Sequence, residues 1–228
     1  MAEWTPDQMP ANVILLPRMV PQPLWGIALR TDLGGRWLPE VSRPIRYHQK
    51  VCEVCGDAGT PSPSRSWRLC CDEVWDYSSA NDVVAQVLRM LMPDPALTRM
   101  LSLQAQVELL LPLVPSMCKT RLIAKLVDLR AICGPCNAAT HWGFSEMTGD
   151  ETTAITQIQR VNGWDIETLY AKVTRARLAW AIMSAMPGWT ITWDGWETIR
   201  DRKAGRTRRR RLRTNGLDRA FTIGDSPT

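Results

Sequence analysis

The sequence has no hydrophobic run long enough to cross a bilayer. Its longest apolar stretch, at residues 109–114, is interrupted by Pro112, whereas a spanning helix needs roughly 20 apolar residues. The N-terminal residues also lack the pattern of a secretion signal, because Glu3 and Asp7 stand where basic residues would precede an apolar segment. We therefore expect a cytoplasmic protein with no membrane contact.

The cysteine count is odd, at seven. Together with the missing secretion signal, this argues against a framework of disulfides. Phenylalanine, tyrosine and histidine are scarce, whereas tryptophan occurs eleven times between Trp4 and Trp196 without a regular repeat. Most of the tryptophans are therefore expected in the core or in interfaces. With 45% hydrophobic residues among 228, the chain can bury one substantial core.

Four of the cysteines form two pairs with the spacing of zinc ligands. These are Cys52 with Cys55 and Cys133 with Cys136, and 77 residues separate the two pairs. Each pair makes a tight knuckle that aims both sulfurs at one point, and four such thiolates surround a zinc ion tetrahedrally. The second pair opens a predicted helix at residues 134–141, whose N-terminal dipole favours bound thiolates. We predict a structural Zn²⁺ site in a treble clef.

The excess positive charge lies at the C-terminal end. Residues 197–228 hold ten basic and four acidic residues, a net charge of +6, so the other 196 residues carry −1. This tail is predicted to be disordered until it meets a polyanion, and its alternative role is a solubilising extension. Phosphate contacts would give salt-dependent binding without base specificity. The candidate nucleic-acid-binding residues are Arg206, Arg208, Arg209, Arg210, Arg211 and Arg213.

The first half of the chain alternates between turn-rich and apolar segments. Prolines predict an extended arm at residues 1–20 without visible chemistry, and an apolar segment at residues 23–30 predicts a short buried strand or turn. A strand is predicted at residues 67–77. The pattern at residues 82–132, including 122–129, indicates two or three helices inserted into the metal module.

The second half predicts two helices and a final strand. The first helix covers residues 152–161 and stops near Gly163, Asp165 caps a longer second helix, and residues 189–193 alternate as a strand. The predicted fold class is α+β and predominantly helical. The predicted regions are an N-terminal framework at 1–50, a zinc module at 51–145 with a helical insertion at about 80–121, C-terminal helices and a strand at 146–196, and a tail at 197–228.

The strand after the first cysteine pair carries a recognisable motif. Residues 71–77, Cys-Asp-Glu-Val-Trp-Asp-Tyr, resemble the His-Glu-Val-Trp-Glu-Tyr motif of the HNH-like family of bacteria and phages, commonly labelled HNH endonucleases. The resemblance extends over most of residues 21–196, except for about 40 residues between 80 and 121. Its other similar segments, in order, are residues 21–25, 29–30, 52–56, 129–136, 141–143, 161–164 and 189–193.

This resemblance implies a ββα-metal fold that hydrolyses phosphodiesters. In the family, a histidine on the strand activates water while a divalent ion stabilises the leaving oxygen. The matching positions here make Asp72, Glu73, Asn137 and His141 the candidate catalytic residues. Asp72 stands at the place of the base histidine, and Asn137 at the place of a histidine on the following helix.

These replacements affect the expected chemistry. An exposed carboxylate, with a pKa of about 4, is a poor base at neutral pH, so losing the histidine would slow cleavage on the order of 10²- to 10⁴-fold. Asp72 and Glu73 could instead bind Mg²⁺ or Mn²⁺ with Asn137 and His141, since hard oxygen ligands suit these ions. The plainer interpretation places both carboxylates at a solvated strand edge and His141 on a helix surface or in hydrogen-bonding contact with nearby backbone.

Three functions fit these observations. We predict a zinc-stabilised nucleic-acid-binding protein that is catalytically silent or repurposed, with DNA favoured over RNA, as part of a phage, plasmid or defence-related nucleoprotein system. The first alternative is an active metal-dependent endonuclease that uses Asp72. The second is a protein-binding inhibitor or adaptor, whose inserted helices would offer Met90, Met92 and Met100 to a partner protein.

Overall fold

The computed structural model describes residues 14–18, 20–24, 26–58, 69–91, 105, 108, 112–118, 121–205 and 221–222. Within them the fold is mixed α+β and predominantly helical, as predicted. The helices are α1 (Leu29–Leu33), α2 (Arg43–Gln49), α3 (Ser78–Leu91), α4 (Val114–Met117), α5 (Gly134–Thr140), α6 (Trp142–Thr148), α7 (Glu151–Asn162), α8 (Ile166–Ser184) and α9 (Trp196–Lys203). The strands are β1 (Leu69–Asp76), β2 (Leu122–Cys133), β3 (Trp189–Thr192) and the two-residue β4 (Phe221–Thr222).

The sheet is organised around strand β2. The strand order is β1-β2-β3-β4, with β2 antiparallel to β1 and parallel to β3. In the β1–β2 ladder, Leu69 pairs with Cys133 and Asp72 pairs with Arg130. Since residues that pair across an antiparallel ladder point to the same face, this register places the side chains of Asp72 and Arg130 side by side.

The first part of β2 corrects the helix predicted at residues 122–129. Leu122, Ala124 and Leu126 are buried, whereas the residues between them are exposed. This alternation has the period of two that defines a strand with one face in the core. The apolar residues alone fitted both a helical period and a strand period. Pairing with β1, which ends 46 residues before β2 begins, makes this segment a strand.

The predicted insertion is described only at its edges. Helix α3 forms directly after β1, and α4 lies near the far end of the insertion. Most residues between them, including Met92 and Met100, and the side chain of Met90, lie outside the described part of the chain. The predicted protein-binding surface on these helices therefore stays a prediction.

The part of the framework that follows the arm is largely helical. The strand-or-turn segment predicted at residues 23–30 contains a short 3-10 helix, Gln22–Leu24, and the start of α1. A further 3-10 turn and a π-helical segment, Trp37–Ser42, run directly into α2. This continuous helical path leads into the first cysteine pair, with Lys50 in the left-handed conformation (φ 58°) ending α2.

The proline-rich arm packs against the rest of the protein. Leu15 is buried, and its backbone N–H donates to Asn162 Oδ1 at 2.9 Å while Asn162 Nδ2 donates to the Leu15 carbonyl at 2.8 Å. The N–H of Arg18 donates to the Thr140 carbonyl at 2.9 Å. The arm thus crosses the ends of α5 and α7, and it delivers the Arg18 side chain to β1.

The C-terminal elements follow the sequence-based prediction closely. Helix α7 stops at Gly163, which has a φ of 67°, and Asp165 caps α8 by accepting a hydrogen bond from Thr168 N at 2.7 Å. The left-handed conformation at Gly163 favours glycine, and the aspartate cap satisfies a free N–H of the first helical turn. Strand β3 forms at the predicted place.

The prediction of a disordered tail from residue 197 onward is wrong for its first residues. Residues 196–203 form helix α9, and Trp196 at its start is buried. At its end, Lys203 is tied to α2, because Gln49 Nε2 donates to the Lys203 carbonyl at 2.9 Å. The six candidate arginines at residues 206–213 lie outside the described residues, so their role stays a prediction.

Buried tryptophans join the helices and the sheet into one core. Trp37, Trp142, Trp189, Trp193 and Trp196 are all at most 8% exposed, as expected from their scattered positions. The same core includes the four paired cysteines. No helix among the described residues is long and apolar enough to span a membrane.

Candidate metal centre

The four paired cysteines come together from three parts of the chain. Cys52 and Cys55 lie in the turn after α2, Cys133 ends β2, and Cys136 lies in the first turn of α5. Their sulfur atoms all lie within 4.8 Å of one another, and each residue is at most 1% exposed. The cluster therefore brings the two predicted pairs into one buried site.

The first pair is shaped by a tight turn. Gly56 N donates to the Cys52 carbonyl at 2.9 Å, and Cys52 N donates to the Asp57 carbonyl at 2.7 Å. Gly56 has a φ of 75°, a conformation that strains any residue with a side chain. The glycine after the second cysteine therefore lets the turn close with both sulfurs on its inner side.

The residue inside this turn fastens it to the sheet and to the last helix. Glu53 N donates to the Ala131 carbonyl at 2.9 Å, and Ala131 N donates to Glu53 Oε2 at 2.7 Å. Glu53 Oε1 also forms an ion pair with Lys203, which lies 3.1 Å from Asp128 Oδ2. These contacts connect the turn to β2 and α9 independently of the sulfurs.

The second pair lies where strand becomes helix. Cys133 is extended (φ −72°, ψ 164°) at the N-terminus of α5, and Pro135 follows in the first turn. Proline suits this position because the first helical N–H groups have no intrahelical acceptor. Cys136 Sγ accepts a hydrogen bond from Gln157 Nε2 at 2.9 Å, and Gln157 is itself buried on α7.

The four thiols perturb one another strongly. Hydrogen bonds from neighbouring thiols, first that of Cys133, lower the pKa of Cys55 to about 7 and lower the pKa of Cys52 further. The thiol of Cys136 acts to lower the pKa of Cys133, but the thiols of Cys52 and Cys55 raise it overall, and the other three thiols all raise the pKa of Cys136; burial adds to both increases. Four thiolates this close together would repel one another, and a cation among them would offset that repulsion.

The distances fit a tetrahedral zinc ion. With Zn–S bonds of about 2.3 Å, the edges of a tetrahedron of sulfurs measure about 3.8 Å. Cys55 Sγ and Cys133 Sγ are 3.7 Å apart. Four thiolates suit a soft or borderline ion such as Zn²⁺ and do not suit Mg²⁺. The donor set and its spacing are therefore compatible with zinc.

A second polar cluster surrounds Asp72, three residues along β1 from the rung of Cys133. The carboxylate of Asp72 is 1% exposed and forms an ion pair through Oδ2 with Arg18. Arg130 Nη2 lies 3.4 Å from the same oxygen, and His141 Nε2 lies 3.4 Å from Oδ1. Arg18 Nη1 also donates to the Glu73 carbonyl at 3.1 Å. We refer to Asp72, Arg18, Arg130 and His141 as the Asp72 cluster.

The cluster keeps Asp72 ionised. Burial alone would raise the pKa of Asp72, but the hydrogen bond from His141 and the charges of Arg18 and Arg130 lower it below the ordinary value. A carboxylate with a lowered pKa and three cationic or polar partners has little tendency to take a proton. The solvated strand edge considered for Asp72 is therefore wrong.

Glu73 lies on the other face of β1. Its Oε1 accepts a hydrogen bond from Arg30 N at 2.8 Å, and its Oε2 accepts one from Trp75 Nε1 at 3.1 Å. Burial raises the pKa of Glu73, the opposite of the shift at Asp72. Because neighbouring strand residues point to opposite faces, the two carboxylates do not converge on one ion.

The four candidate catalytic residues are thus brought together only in part. Asp72 and His141 are in contact, whereas Glu73 faces away and Asn137 lies one helical turn before His141, whose N–H donates to the Asn137 carbonyl at 2.9 Å. Within the described ranges, the only group of three or more cysteine, histidine or acidic residues able to hold an ion is the cysteine cluster.

Three residues of these clusters were missed by the reading of the sequence. Arg18 lies in the arm to which no chemistry was assigned, Arg130 lies beside Asp72 because of the strand register, and Gln157 contacts a sulfur from α7. The pairing of β1 with β2 would have located Arg130. Nothing in the local sequence marks Arg18 or Gln157, because their contacts bridge long separations along the chain.

Compared with protein-family models, with curated proteins and with solved structures, the chain matches none of them.

Proposed function

We propose that this chain is a zinc-stabilised nucleic-acid-binding protein that carries an HNH-like treble clef and does not cleave its ligand. The observation that carries the proposal is the pair of adjacent clusters on β1 and β2. One has the donors of a structural zinc site. In the other, arginines balance the negative charge of Asp72, which occupies the position of the resembled family's base.

Zinc would be held by Cys52, Cys55, Cys133 and Cys136. Bound there, it supplies a crosslink between the turn after α2, the end of β2 and the start of α5, and it offsets the repulsion of four thiolates. The order of knuckle, antiparallel strands β1 and β2 and helix α5 supports the treble clef. The long connection between the two strands is the main departure from a compact version.

The absence of cleavage is inferred from the environment of Asp72. A general base must accept a proton from water and must be reachable by that water. Asp72 is buried, and its pKa is lowered by His141, Arg18 and Arg130 despite its burial. Both conditions oppose the role that the histidine of the resembled family performs.

Nucleic-acid binding is inferred from the distribution of charge. The chain has a net charge of +5, and all of that excess lies in residues 197–228. Helix α9 ends with Lys203, which forms an ion pair with Glu53 in the turn of the first cysteine pair, and the arginine-rich residues 206–213 follow it in the sequence. Several arginines binding phosphates would give steep salt dependence and little base specificity.

An active endonuclease remains the second candidate because of one contact. His141 Nε2 lies 3.4 Å from Asp72 Oδ1, and the histidine side chain is 43% exposed. A carboxylate that orients an accessible imidazole is an arrangement used in general-base catalysis. In this version His141 takes the proton and Asp72 positions the ring, which differs from the role first predicted for Asp72.

The proposal is tested by binding and cleavage of labelled DNA and RNA, with and without Mg²⁺ or Mn²⁺. We expect one zinc ion per chain and nucleic acid that stays uncut. We also expect binding to weaken as salt rises, with a slope of log affinity against log salt concentration of about −0.9 for each phosphate contacted. Replacing the six candidate arginines by glutamine is expected to remove most of that slope.

Either of two results contradicts the proposal. Metal-dependent cuts that vanish in His141→Ala would establish the endonuclease. Failure of the zinc-loaded chain to bind either DNA or RNA would refute nucleic-acid binding and leave the zinc site to be judged by metal content alone.

A further inference from the structure

We propose that Arg18, Arg130 and His141 form a binding site for a phosphate group, with Asp72 as the residue that positions them. The ligand is a phosphodiester of nucleic acid, and no metal ion is required. This inference deepens the proposed function, on which its nucleic-acid part rests, and it assigns to the Asp72 cluster a role in binding.

The first support is an imbalance of charge. Two guanidinium groups face one carboxylate at Asp72 Oδ2, and an imidazole faces the other oxygen. Arg177, by contrast, forms its ion pair with a carboxylate of its own, that of Glu146. Since clustered cations in a partly desolvated site repel one another, the spare positive charge at Asp72 favours an anion.

The second support is the pattern of exposure. The Asp72 carboxylate is 1% exposed, whereas the side chains of Arg18 and Arg130 are 27% and 24% exposed and that of His141 is 43% exposed. The negative group is therefore hidden beneath two guanidiniums and an imidazole that reach the surface. An approaching anion meets the positive groups without the repulsion of an exposed carboxylate.

The third support is unused hydrogen-bonding capacity. A guanidinium offers five N–H donors. Arg130 makes one long contact, at 3.4 Å, with Asp72, and its buried Nε has no hydrogen-bond partner in the described part of the chain. The side chain of Arg130 is partly exposed, so its partial pairing leaves guanidinium N–H groups for a further acceptor.

The three donors are also held by separate, fixed elements. Arg130 lies on β2 directly opposite Asp72, His141 follows the last residue of α5, and the backbone of Arg18 is bonded to Thr140. Planar guanidiniums fixed in this way lose little freedom when they bind a phosphate. The shared aspartate therefore prepares the site before the ligand arrives.

The decisive variant is Arg130→Gln, with Arg177→Gln as its matched control. Both remove one partly exposed arginine from an ion pair, but in Arg130→Gln the carboxylate of Asp72 keeps Arg18 as a partner, so the fold is expected to survive. With a labelled DNA duplex at about 0.1 M salt, Arg130→Gln is expected to bind about tenfold more weakly and to lower the salt slope by about 0.9. Arg177→Gln is expected to change neither.

Arg130→Lys provides a second variant that keeps the charge beside Asp72. Lysine lacks the planar fork that matches two phosphate oxygens. We expect it to retain the salt slope and to lose about threefold in affinity. Equal effects of Arg130→Gln and Arg177→Gln would overturn the phosphate site while leaving nucleic-acid binding by the tail intact.

A measurement with inorganic phosphate separates the site from the proposed function. At constant ionic strength, replacing chloride by phosphate is expected to raise the unfolding temperature of the native chain by more than that of Arg130→Gln, since phosphate also stabilises folded proteins in general. If this occurs without any DNA or RNA binding, the site stands and the proposed function fails. If phosphate protects both chains equally or neither, the site is refuted.

Discussion

The cysteine cluster and the Asp72 cluster lie three rungs apart on the same pair of strands, yet they are stabilised in opposite ways. The cysteine cluster collects four groups that would each be negative as a thiolate, and its thiols raise and lower the pKa of one another. The Asp72 cluster contains its own countercharges. The first consists of cysteines alone and so has no countercharge of its own, whereas the second balances its carboxylate within the chain and has positive charge to spare.

The strongest test of this contrast removes one ligand. Cys52→Ser is expected to abolish zinc binding and to unfold the module, because apparent binding free energies of structural zinc are on the order of 10 kcal/mol or more. Zinc content and the circular dichroism melting curve measure the effect. Cys70→Ser, which removes a half-buried thiol outside the cluster, should keep both, and normal zinc content in Cys52→Ser would contradict the four-thiolate site.

The next largest effect is expected at Asp72. Asp72→Asn leaves Arg18 and Arg130 without a countercharge, which should lower the free energy of unfolding by about 2–3 kcal/mol, less than for a fully buried pair because both arginines are partly exposed. Glu73→Gln is the control. Its loss should be under about 1 kcal/mol, since burial already disfavours the charged form. Urea unfolding of the zinc-loaded chains measures both, and equal losses would contradict the contrast.

The stabilisation from Asp72 should also disappear in acid. Burial acts to raise the pKa of Asp72, but the cluster lowers it overall in the folded protein. The ionised carboxylate therefore stabilises the fold fully above the pKa of about 3.9 that aspartate has in the unfolded chain. That stabilisation is lost as the pH falls through the lower pKa of the folded protein. We expect the difference in unfolding free energy between the native chain and Asp72→Asn to be full at pH 6 and to shrink below about pH 4. A constant difference down to pH 3 would contradict the assigned shift.

A smaller effect is expected from the residue that supports a sulfur. Gln157 Nε2 donates to Cys136 Sγ at 2.9 Å, and loss of a hydrogen bond to a metal ligand typically weakens metal binding by 10- to 100-fold. Gln157→Leu should therefore weaken zinc binding about tenfold in a chelator competition and leave the fold intact at saturating zinc. Unchanged affinity would mean that this hydrogen bond does not stabilise the thiolate. Gln159→Leu, on the same helix but bonded to the Trp164 carbonyl, is the control.

Local patterns predicted the elements that local chemistry controls. The Cys-x-x-Cys spacing located all four cysteines of the cluster, Gly163 marked the end of α7, and Asp165 marked the start of α8. Each of these signals depends on a few neighbouring residues. A turn, a cap or a metal knuckle is therefore visible before the rest of the fold is known.

The errors arose where distant contacts decide the structure. Residues 122–129 are a strand because β1 and β3 pair with them, and residues 196–203 form a helix that is anchored through Lys203. The Asp72 cluster could not be predicted from a motif, because Arg18 reaches it from 54 residues away in the sequence. Short-range periodicity contains no information about such partners.

The attachment of the N-terminal arm has a consequence for the order of folding. The paired hydrogen bonds between Leu15 and Asn162 close a loop of 147 residues. The entropy lost in closing such a loop is offset only when the two ends can pack on structure that has already folded. We expect the β1–β2 ladder to bring Arg130 to Asp72 first and Arg18 to arrive last. The arm should then also be the first part to open in the native state, exchanging the amide hydrogens of Leu15 and Arg18 ahead of those in β2.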